Sequence, residues 1–194
     1  REQMSAVVGA PFSCSPLFLC ALAQQCRLCY SRLLDEDASP APVSRELDRS
    51  RNITGLYGNM LAALDEQYGG SHELGYQNLV QYSLTYLWAS RKGLMEFELY
   101  EALKHVCNVS FERLQQLLAE LKQRVIHTQG HLRLFHQEFN YAVERRYMGK
   151  YYDTDTTDLM IDGHKLLADF FETRPHAAIR KVEEYPYQLC YCVA

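Results

Sequence analysis

Residues 125–135, VIHTQGHLRLF, carry the clearest β-strand pattern in a sequence that otherwise shows helical spacing. Val125-Ile126-His127 is predicted to form one strand. Gln129-Gly130 is a predicted turn, and the second strand over residues 131–135 places Leu132 and Leu134 on one face. We therefore expect a single β-hairpin, and the segments on either side of it indicate the fold.

Three helices are predicted directly before this hairpin. The first covers residues 76–90 and ends before Gly93, the second covers Glu96–Lys104, and Ser110 is a good N-cap for the third. The third helix carries an apolar stripe: Phe111, Leu114, Leu117, Leu118 and Leu121. Three helices followed by a hairpin are the order of a winged-helix domain, in which the hairpin is the wing. A fourth helix from His136, with Phe139, Val143 and Tyr147 at intervals of four, is expected to pack against that core.

The remaining segments are also predicted to be helical. An N-terminal helix begins near Pro16 with Ser13 or Ser15 as its cap, and another covers Thr54–Tyr68 before Gly69-Gly70. Residues 35–52 are polar, contain two prolines and are the best linker candidate. After a loop over residues 148–157 we expect a helix over Asp158–Glu172. Residues 176–194 are predicted to be helical with an interruption at Pro186.

Composition excludes several classes of protein. The chain has 194 residues, and 20 basic against 24 acidic residues give a net charge of −4. It therefore lacks the positive field that phosphate-rich partners require, so neither nucleic acid nor a membrane surface is an expected partner. No apolar run approaches the roughly 20 residues of a membrane helix. We expect a cytoplasmic mainly α protein, and because it begins at Arg1, a part of something longer.

No motif in the chain predicts catalysis or a metal site. A phosphate-binding G-x-x-x-x-G-K-[ST] loop is absent, as are the G-x-G-x-x-G, H-E-x-x-H and G-x-S-x-G motifs. Cys26-x-x-Cys29 resembles half of a zinc site but lacks a second pair at similar spacing. Most of the seven cysteines are therefore expected to be buried free thiols. We predict that the chain is not an enzyme and binds no metal.

Five short stretches together resemble one protein family. Residues 86–99, YLWASRKGLMEFEL, resemble the helix-turn-helix of STAND-class, NACHT-type P-loop NTPases such as the nephrocystin family, the NACHT-and-WD-repeat proteins and the telomerase-associated WD-repeat protein. Residues 134–139, LFHQEF, resemble the motif at the end of their winged helix. Further similar stretches in the family's order are residues 15–19, 164–171 and 184–189. Each motif is short, and their common order carries the resemblance.

The resemblance implies a function and two site residues. Residues 1–70 would be a helical lid with a linker at about 35–52, residues 71–150 the winged-helix domain, and residues 151–194 a helical arm leading to repeats. The chain would then be the regulatory lid and winged-helix fragment of a nucleotide-dependent switch or scaffold. ATP or ADP would bind the parent protein, with an NTPase core upstream and partner proteins in addition. Pro16 would pack on the adenine ring, and His136 would reach the ADP phosphates.

The residues themselves leave more modest roles open. Pro16 also fits as the opening residue of a helix, and His136 fits as a helix cap. Met95 departs from the family, which has a capping serine at that position, although Glu98 is retained as the other half of a capping box.

Two other functions remain possible on the sequence alone. A nucleotide-independent protein-interaction module would have an exposed apolar patch on the last two helices. A DNA-binding winged helix is less favoured, because the third helix and its end mix two acidic with three basic residues.

Overall fold

The computed structural model describes residues 7–10, 12–33, 52–69, 78–148, 156–174 and 178–192. These residues are mainly helical, with one small antiparallel sheet. The chain falls into two compact units, Arg1–Ala63 and Leu64–Ala194. The boundary between the units lies inside a helix. The predicted linker, apart from Asn52, lies outside the described residues, as does most of the 148–157 loop, and the division into three domains stays a prediction.

The first unit contains α1, Pro16–Leu33, and the first part of α2, Ile53–Tyr68. Both helices begin at a side-chain cap. The Phe18 amide donates to Ser15 Oγ at 3.4 Å, and the Gly55 amide donates to Asn52 Oδ1 at 2.7 Å. The predicted starts of both helices are thus confirmed, with Ser15 rather than Ser13 as the first cap.

The second unit contains the rest of α2 and all later elements. They are α3 Leu79–Ala89, α4 Glu96–Val106, α5 Phe111–Glu120, β1 Val125–Thr128, β2 His131–Leu134, α6 Gln137–Tyr147, α7 Thr156–Glu172 and α8 Ala178–Cys192. The predicted order of three helices, a hairpin and a further helix is confirmed. The predicted cap of α5 is also present, because the Arg113 amide donates to Ser110 Oγ at 3.2 Å.

Helix α3 lies at the centre of the second unit. Eight of its eleven residues are buried, on all sides of the helix, and a helix that is apolar on every side belongs in a core. It contacts α4, α6, α7 and β2. The surrounding helices and β2 supply the rest of a continuous core, including Leu99, Leu103, Leu114, Leu117, Leu132, Phe139, Val143, Leu167 and Phe171.

The hairpin has the predicted register and a tight two-residue turn. Thr128 pairs with His131, and Gln129 and Gly130 between them have φ values of 53° and 82°. Positive φ at both turn positions is the geometry of a type I′ turn. Leu94, in the segment between α3 and α4, exchanges two backbone hydrogen bonds with Leu132. The hairpin is therefore attached to the turn that follows α3.

Two local predictions are wrong. Pro186 does not interrupt the last helix, because α8 runs through it from Ala178 to Cys192. Pro186 lies on the exposed side of α8. Val182, whose carbonyl loses its intrahelical partner there, is 75% exposed, so water can bind that carbonyl. Phe111 was expected in the core but is 43% exposed and packs edge-on against Tyr100, with ring centroids 5.3 Å apart.

Candidate docking surface and its buried junction

The inner face of α8 carries three polar residues, each four positions from the next. A spacing of four places Arg180, Glu184 and Gln188 on one face of a helix. They are only 7%, 0% and 0% exposed. Burying polar groups costs free energy unless they are hydrogen-bonded, so their partners determine whether this face can be buried.

Glu184 binds the turn that follows α3. The backbone amides of Arg91 and Lys92 each donate to its carboxylate, both at 3.0 Å. Two adjacent amides aimed at one carboxylate form a small anion-binding site. The Gln188 side-chain amide donates at 3.1 Å both to Glu184 and to the Ala89 carbonyl. Through these bonds α8 holds the α3–α4 turn along its length.

Arg180 binds the first turn of α4. Its Nε and Nη2 atoms donate to the two carboxylate oxygens of Glu98 at 2.9 and 3.2 Å, and Nη2 donates to the Gly93 carbonyl at 2.7 Å. Glu98 also accepts the Met95 amide at 2.9 Å, which is the retained half of the capping box. Burial alone would lower the pKa of Arg180, but the hydrogen bond and charge of Glu98, the charge of Glu184 and the hydrogen bond to Glu183 raise it above its ordinary value.

His164 of α7 completes this set of contacts. Its Nδ1 lies 2.6 Å from Gln188 Oε1, so the ring is protonated at Nδ1 and donates to an amide oxygen. The ring stacks on Tyr191 and lies beside Trp88, with centroids 4.5 and 5.5 Å apart. Burial lowers the pKa of His164, and the hydrogen bond to Gln188 offsets this in part. His164 is therefore neutral near pH 7.

We call Glu98, His164, Arg180, Glu184 and Gln188 the buried junction. It fixes the α7–α8 helix pair to the α3–α4 turn. The Arg180 guanidinium faces the buried carboxylates of Glu98 and Glu184 and also lies 3.5 Å from Glu183 at the edge of the junction. The two backbone amides stabilise the negative charge of Glu184. The junction also explains three of the sequence stretches quoted above, because residues 86–99, 164–171 and 184–189 meet in it. Sequence reasoning missed this contact, although the four-residue spacing of polar residues in α8 is visible in the sequence.

The outer face of α8 is apolar and exposed. Ile179, Val182 and Leu189 are 79%, 75% and 39% exposed, and Pro186 lies between them on the same face. We call these four residues the α8 seam. Their spacing of 3, 4 and 3 forms a straight stripe of the kind that packs against another helix. The stripe contains no charged residue. The interaction module predicts an exposed apolar patch on the last two helices, and of these two α8 carries the exposed apolar residues among the part of the chain that the structure describes.

Pro16 and His136 occupy helix starts in different units. Pro16 is the first residue of α1 and is exposed. His136 precedes α6 with φ of 71°, and its carbonyl accepts the Phe139 amide at 3.1 Å. Burial and the nearby charge of Arg124 lower the pKa of His136. Pro16 fits the role of a helix-opening residue, and His136 occupies the N-cap position of α6 without a side-chain capping hydrogen bond. Nucleotide contact by either residue stays a prediction.

Two of the three basic residues in and directly after α5 face the protein. Arg113 donates to the Gln67 carbonyl at 2.7 Å and covers the Tyr68 ring, with its guanidinium carbon 4.5 Å from the ring centroid. Arg124 is 2% exposed. Only Lys122 of the three is fully exposed, so this helix presents little positive charge to a phosphate backbone.

The prediction that most cysteines are buried free thiols is only partly confirmed. Cys107 is buried, and burial raises the pKa of its thiol to about 11. Cys14, Cys20 and Cys190 are exposed, because they lie on outward helix or turn positions, so the prediction of buried thiols is wrong for these three. Within the described ranges, no group of three or more His, Cys, Asp or Glu side chains is arranged to hold a metal ion.

A membrane-spanning helix was not expected. Among the helices that the structure describes, none has both the length and the apolar character needed to cross a bilayer.

Comparison with known proteins yields one related sequence. Over 145 residues, or 75% of its length, the chain is 29% identical to a TPR repeat-containing protein of Dictyostelium discoideum. The match covers 8% of that protein, so the chain corresponds to a small part of a much longer relative. No family model matches the chain, and no solved structure matches it.

The family assignment made from the five short stretches is therefore wrong. No NACHT or STAND family model matches, and the related protein is described by its TPR repeats, which points to a different, helical-repeat family. The misleading stretches have local physical causes. Position 93 needs a glycine because the backbone there has a positive φ of 88°. Glu98 and Glu184 are present because they form hydrogen bonds in the buried junction. With the resemblance withdrawn, the upstream NTPase core has no support.

Proposed function

We propose that this chain is a protein-interaction module, independent of nucleotide, that docks a helical partner through the α8 seam. The observation that carries the proposal is the uncharged apolar seam on the outer face of α8. Monomeric proteins rarely expose such stripes without a use for them. The buried junction on the opposite face makes the seam a fixed surface, and a pre-organised surface binds with a smaller entropy cost.

We also propose that residues 79–134 form a winged-helix core. The order of α3, α4, α5 and the hairpin supports this, together with the backbone pairing of Leu94 with Leu132. In this proposal the core is a scaffold that carries α7 and α8. DNA binding is not favoured, because Arg113 and Arg124 face the protein.

The related protein supports a helical partner. Its name refers to TPR repeats, and TPR units are pairs of helices of about 34 residues that stack side by side. Helices α7 and α8 are likewise a pair of packed helices, and they make the most extensive contact between any two of the described elements. Stacking places one apolar helix face on the next, and the α8 seam is a face of that kind.

The proposal is tested by site-specific photo-crosslinking in a cell extract of the source organism. A photoreactive amino acid replaces Val182 in one sample and Phe97 in a matched sample. Phe97 is 60% exposed and lies on α4, outside the seam. We expect defined crosslinked proteins from position 182 that position 97 does not give. Identical products from both positions would contradict the proposal.

Titration calorimetry with ADP separates this function from a nucleotide switch. The interaction module predicts no heat of binding to the purified chain. Binding that His136→Ala abolishes would instead favour a nucleotide role for that residue.

A further inference from the structure

A cavity of about 360 Å³ lies between α3 and α7. Of the described residues that line it, none belongs to the buried junction or to the α8 seam. We call it the α3–α7 cleft, and its lining includes Tyr82, Thr85, Asp162, Lys165, Leu166 and Asp169. Sites for small molecules have volumes of about 300–1,000 Å³, so the cleft has room for a ligand of amino-acid size.

Thr85 forms the buried end of the cleft. It is only 8% exposed, and a Cβ on Gly163 would lie 2.7 Å from its Cγ2 atom, so α7 passes very close to α3 at this point. The Thr85 hydroxyl forms no hydrogen bond with any residue that the structure describes. Buried hydroxyl groups normally have a partner, because leaving them without one costs free energy. Its position beside a cavity indicates a partner that comes from outside the chain.

Three charged residues of α7 form the rim of the cleft. Asp162, Lys165 and Asp169 are all exposed. Asp162 and Lys165 are three positions apart, a spacing at which opposite charges on a helix often pair. Within the described ranges neither of them forms an ion pair. Because two carboxylates face one ammonium group, the rim attracts a cation more strongly than an anion.

The spacing of the two carboxylates does not suit a metal ion. Seven residues along a helix correspond to about 10 Å, so Asp162 and Asp169 are too far apart to bind one ion together. An organic cation needs only one carboxylate, together with an apolar surface for the rest of the molecule. Tyr82 and Leu166 supply such a surface in the cleft.

We propose that the α3–α7 cleft binds a small organic amine of about amino-acid size. Its ammonium group binds the Asp162 carboxylate and the Thr85 hydroxyl, which lie at the same level because Gly163, the residue after Asp162, contacts Thr85. Its apolar or aromatic body packs on Tyr82 and Leu166, and the tyrosine ring also attracts the positive charge. This inference is independent of docking through the α8 seam.

NMR titration of the isotope-labelled chain with 2-phenylethylamine tests the proposal. The matched probes are 2-phenylethanol and 3-phenylpropionate, which have the same ring without the positive charge. We expect the amine to shift the amide signals of Thr85, Gly163 and Leu166 with a dissociation constant of about 1 mM. The other two probes should bind at least about fivefold more weakly. Equal affinity for all three probes, a preference for the acid, or shifts outside the cleft would overturn the proposal.

The role of Asp162 is tested by Asp162→Asn, with Glu112→Gln as the matched control. Glu112 is exposed on α5, outside the cleft, and both changes remove one surface charge. Asp162→Asn should weaken amine binding about fivefold, whereas Glu112→Gln should leave it unchanged. The same affinity in both variants would exclude an ion pair between Asp162 and the amine.

Thr85→Val separates a binding role from a structural one. This substitution removes the hydroxyl but keeps the shape of the side chain. Because the hydroxyl lacks a partner in the free chain, thermal unfolding should show that the variant is at least as stable as the wild type. Amine binding should nevertheless weaken about threefold or more. A loss of stability, or an unchanged affinity for the amine, would contradict the assignment of Thr85 to the ligand.

Discussion

At the scale of single residues, Glu183 and Glu184 show how position decides the role of a side chain. Both are on α8, one residue apart. Glu184 is fully buried against two backbone amides and Gln188, whereas Glu183 pairs at the surface with Lys92. Removing Glu184 leaves buried backbone amides unsatisfied. Removing Glu183 frees Lys92, which water can reach, and takes away one 3.5 Å contact of Arg180, which keeps its bonds to Glu98 and the Gly93 carbonyl.

We predict that Glu184→Ala destabilises the chain by about 3 kcal/mol, because Arg180 and two amides lose a buried partner. Glu183→Ala should cause only a small change. Urea unfolding of both variants measures the difference. Equal losses from the two substitutions would contradict the assignment of Glu184 to the buried junction.

His164 should make stability depend on pH. Burial lowers its pKa below the ordinary 6.5, so the unfolded chain binds a proton more readily than the folded chain. Stability from this residue is fully present above pH 6.5 and is lost as the pH falls from 6.5 through the lowered pKa. We expect the free energy of unfolding to decrease in that range.

The matched variants for this pH effect are His164→Gln and His127→Gln. Replacing His164 should reduce the pH dependence between about pH 5 and 7, because its proton uptake is removed, while His136, whose pKa is also lowered, retains its own contribution. His127 is on the exposed side of β1, away from the buried junction, so its replacement leaves the His164 contribution in place. Denaturant titrations across this range give the comparison. An unchanged slope in His164→Gln would contradict the buried neutral ring.

At the scale of secondary-structure elements, the link between the α3–α4 turn and the hairpin depends on Gly93. Its φ is 88°, and a Cβ there would overlap the Leu132 carbonyl oxygen of β2. Gly130, in the hairpin turn, has a similar φ of 82° but open space around it. The two glycines therefore separate the cost of the backbone conformation from the cost of a steric clash.

We predict that Gly93→Ala destabilises the chain by at least about 3 kcal/mol, since strain and clash add. Gly130→Ala should cost only about 1 kcal/mol, from the conformation alone. Thermal unfolding by circular dichroism compares the two. Similar losses would show that the Leu94–Leu132 pairing does not constrain residue 93.

The start of α4 has only half of a capping box. Met95 has the extended conformation of an N-cap, with φ of −66° and ψ of 152°, but supplies no side-chain hydrogen bond. We predict that Met95→Ser stabilises the chain by about 1 kcal/mol, because its hydroxyl can accept the Glu98 amide. Urea unfolding measures the gain, and a loss of stability would contradict it.

The elements that sequence predicts well are those with local signals. Ser110 and Ser15 mark helix starts, and Gln129-Gly130 marks the hairpin turn, because caps and tight turns depend on neighbouring residues. The helical order around the hairpin follows from apolar spacing in the same way. Sequence predicted an apolar patch on the last two helices for an interaction module, but it did not predict that the exposed residues would lie on α8.

The features that the sequence did not predict depend on contacts between residues far apart along the chain. Arg180 and Glu98 are 82 positions apart, and Glu184 meets backbone amides more than 90 positions away. Spacing shows that such residues share a helix face, but it does not reveal their partners. The predicted interruption of α8 at Pro186 is wrong for the same reason. The free-energy cost of a proline inside a helix depends on whether the residue four positions earlier, here Val182, is exposed to water, and only the fold determines that.

At the scale of the whole molecule, residues 64–194 form one compact unit in which the junction and the seam lie on opposite faces of α8. The inner face is polar and fully bonded, and the outer face is apolar and open. The proposed docking function rests on this combination of a bonded inner face and an exposed apolar outer face.

The most direct test of this account is quantitative affinity capture from an extract of the source organism. Wild-type, Val182→Glu and Phe97→Glu chains are compared, each with and without ADP. We predict a set of bound proteins that Val182→Glu loses and Phe97→Glu retains, with no effect of ADP. Capture that is unchanged by Val182→Glu, or that requires ADP, would contradict a nucleotide-independent docking function of the α8 seam.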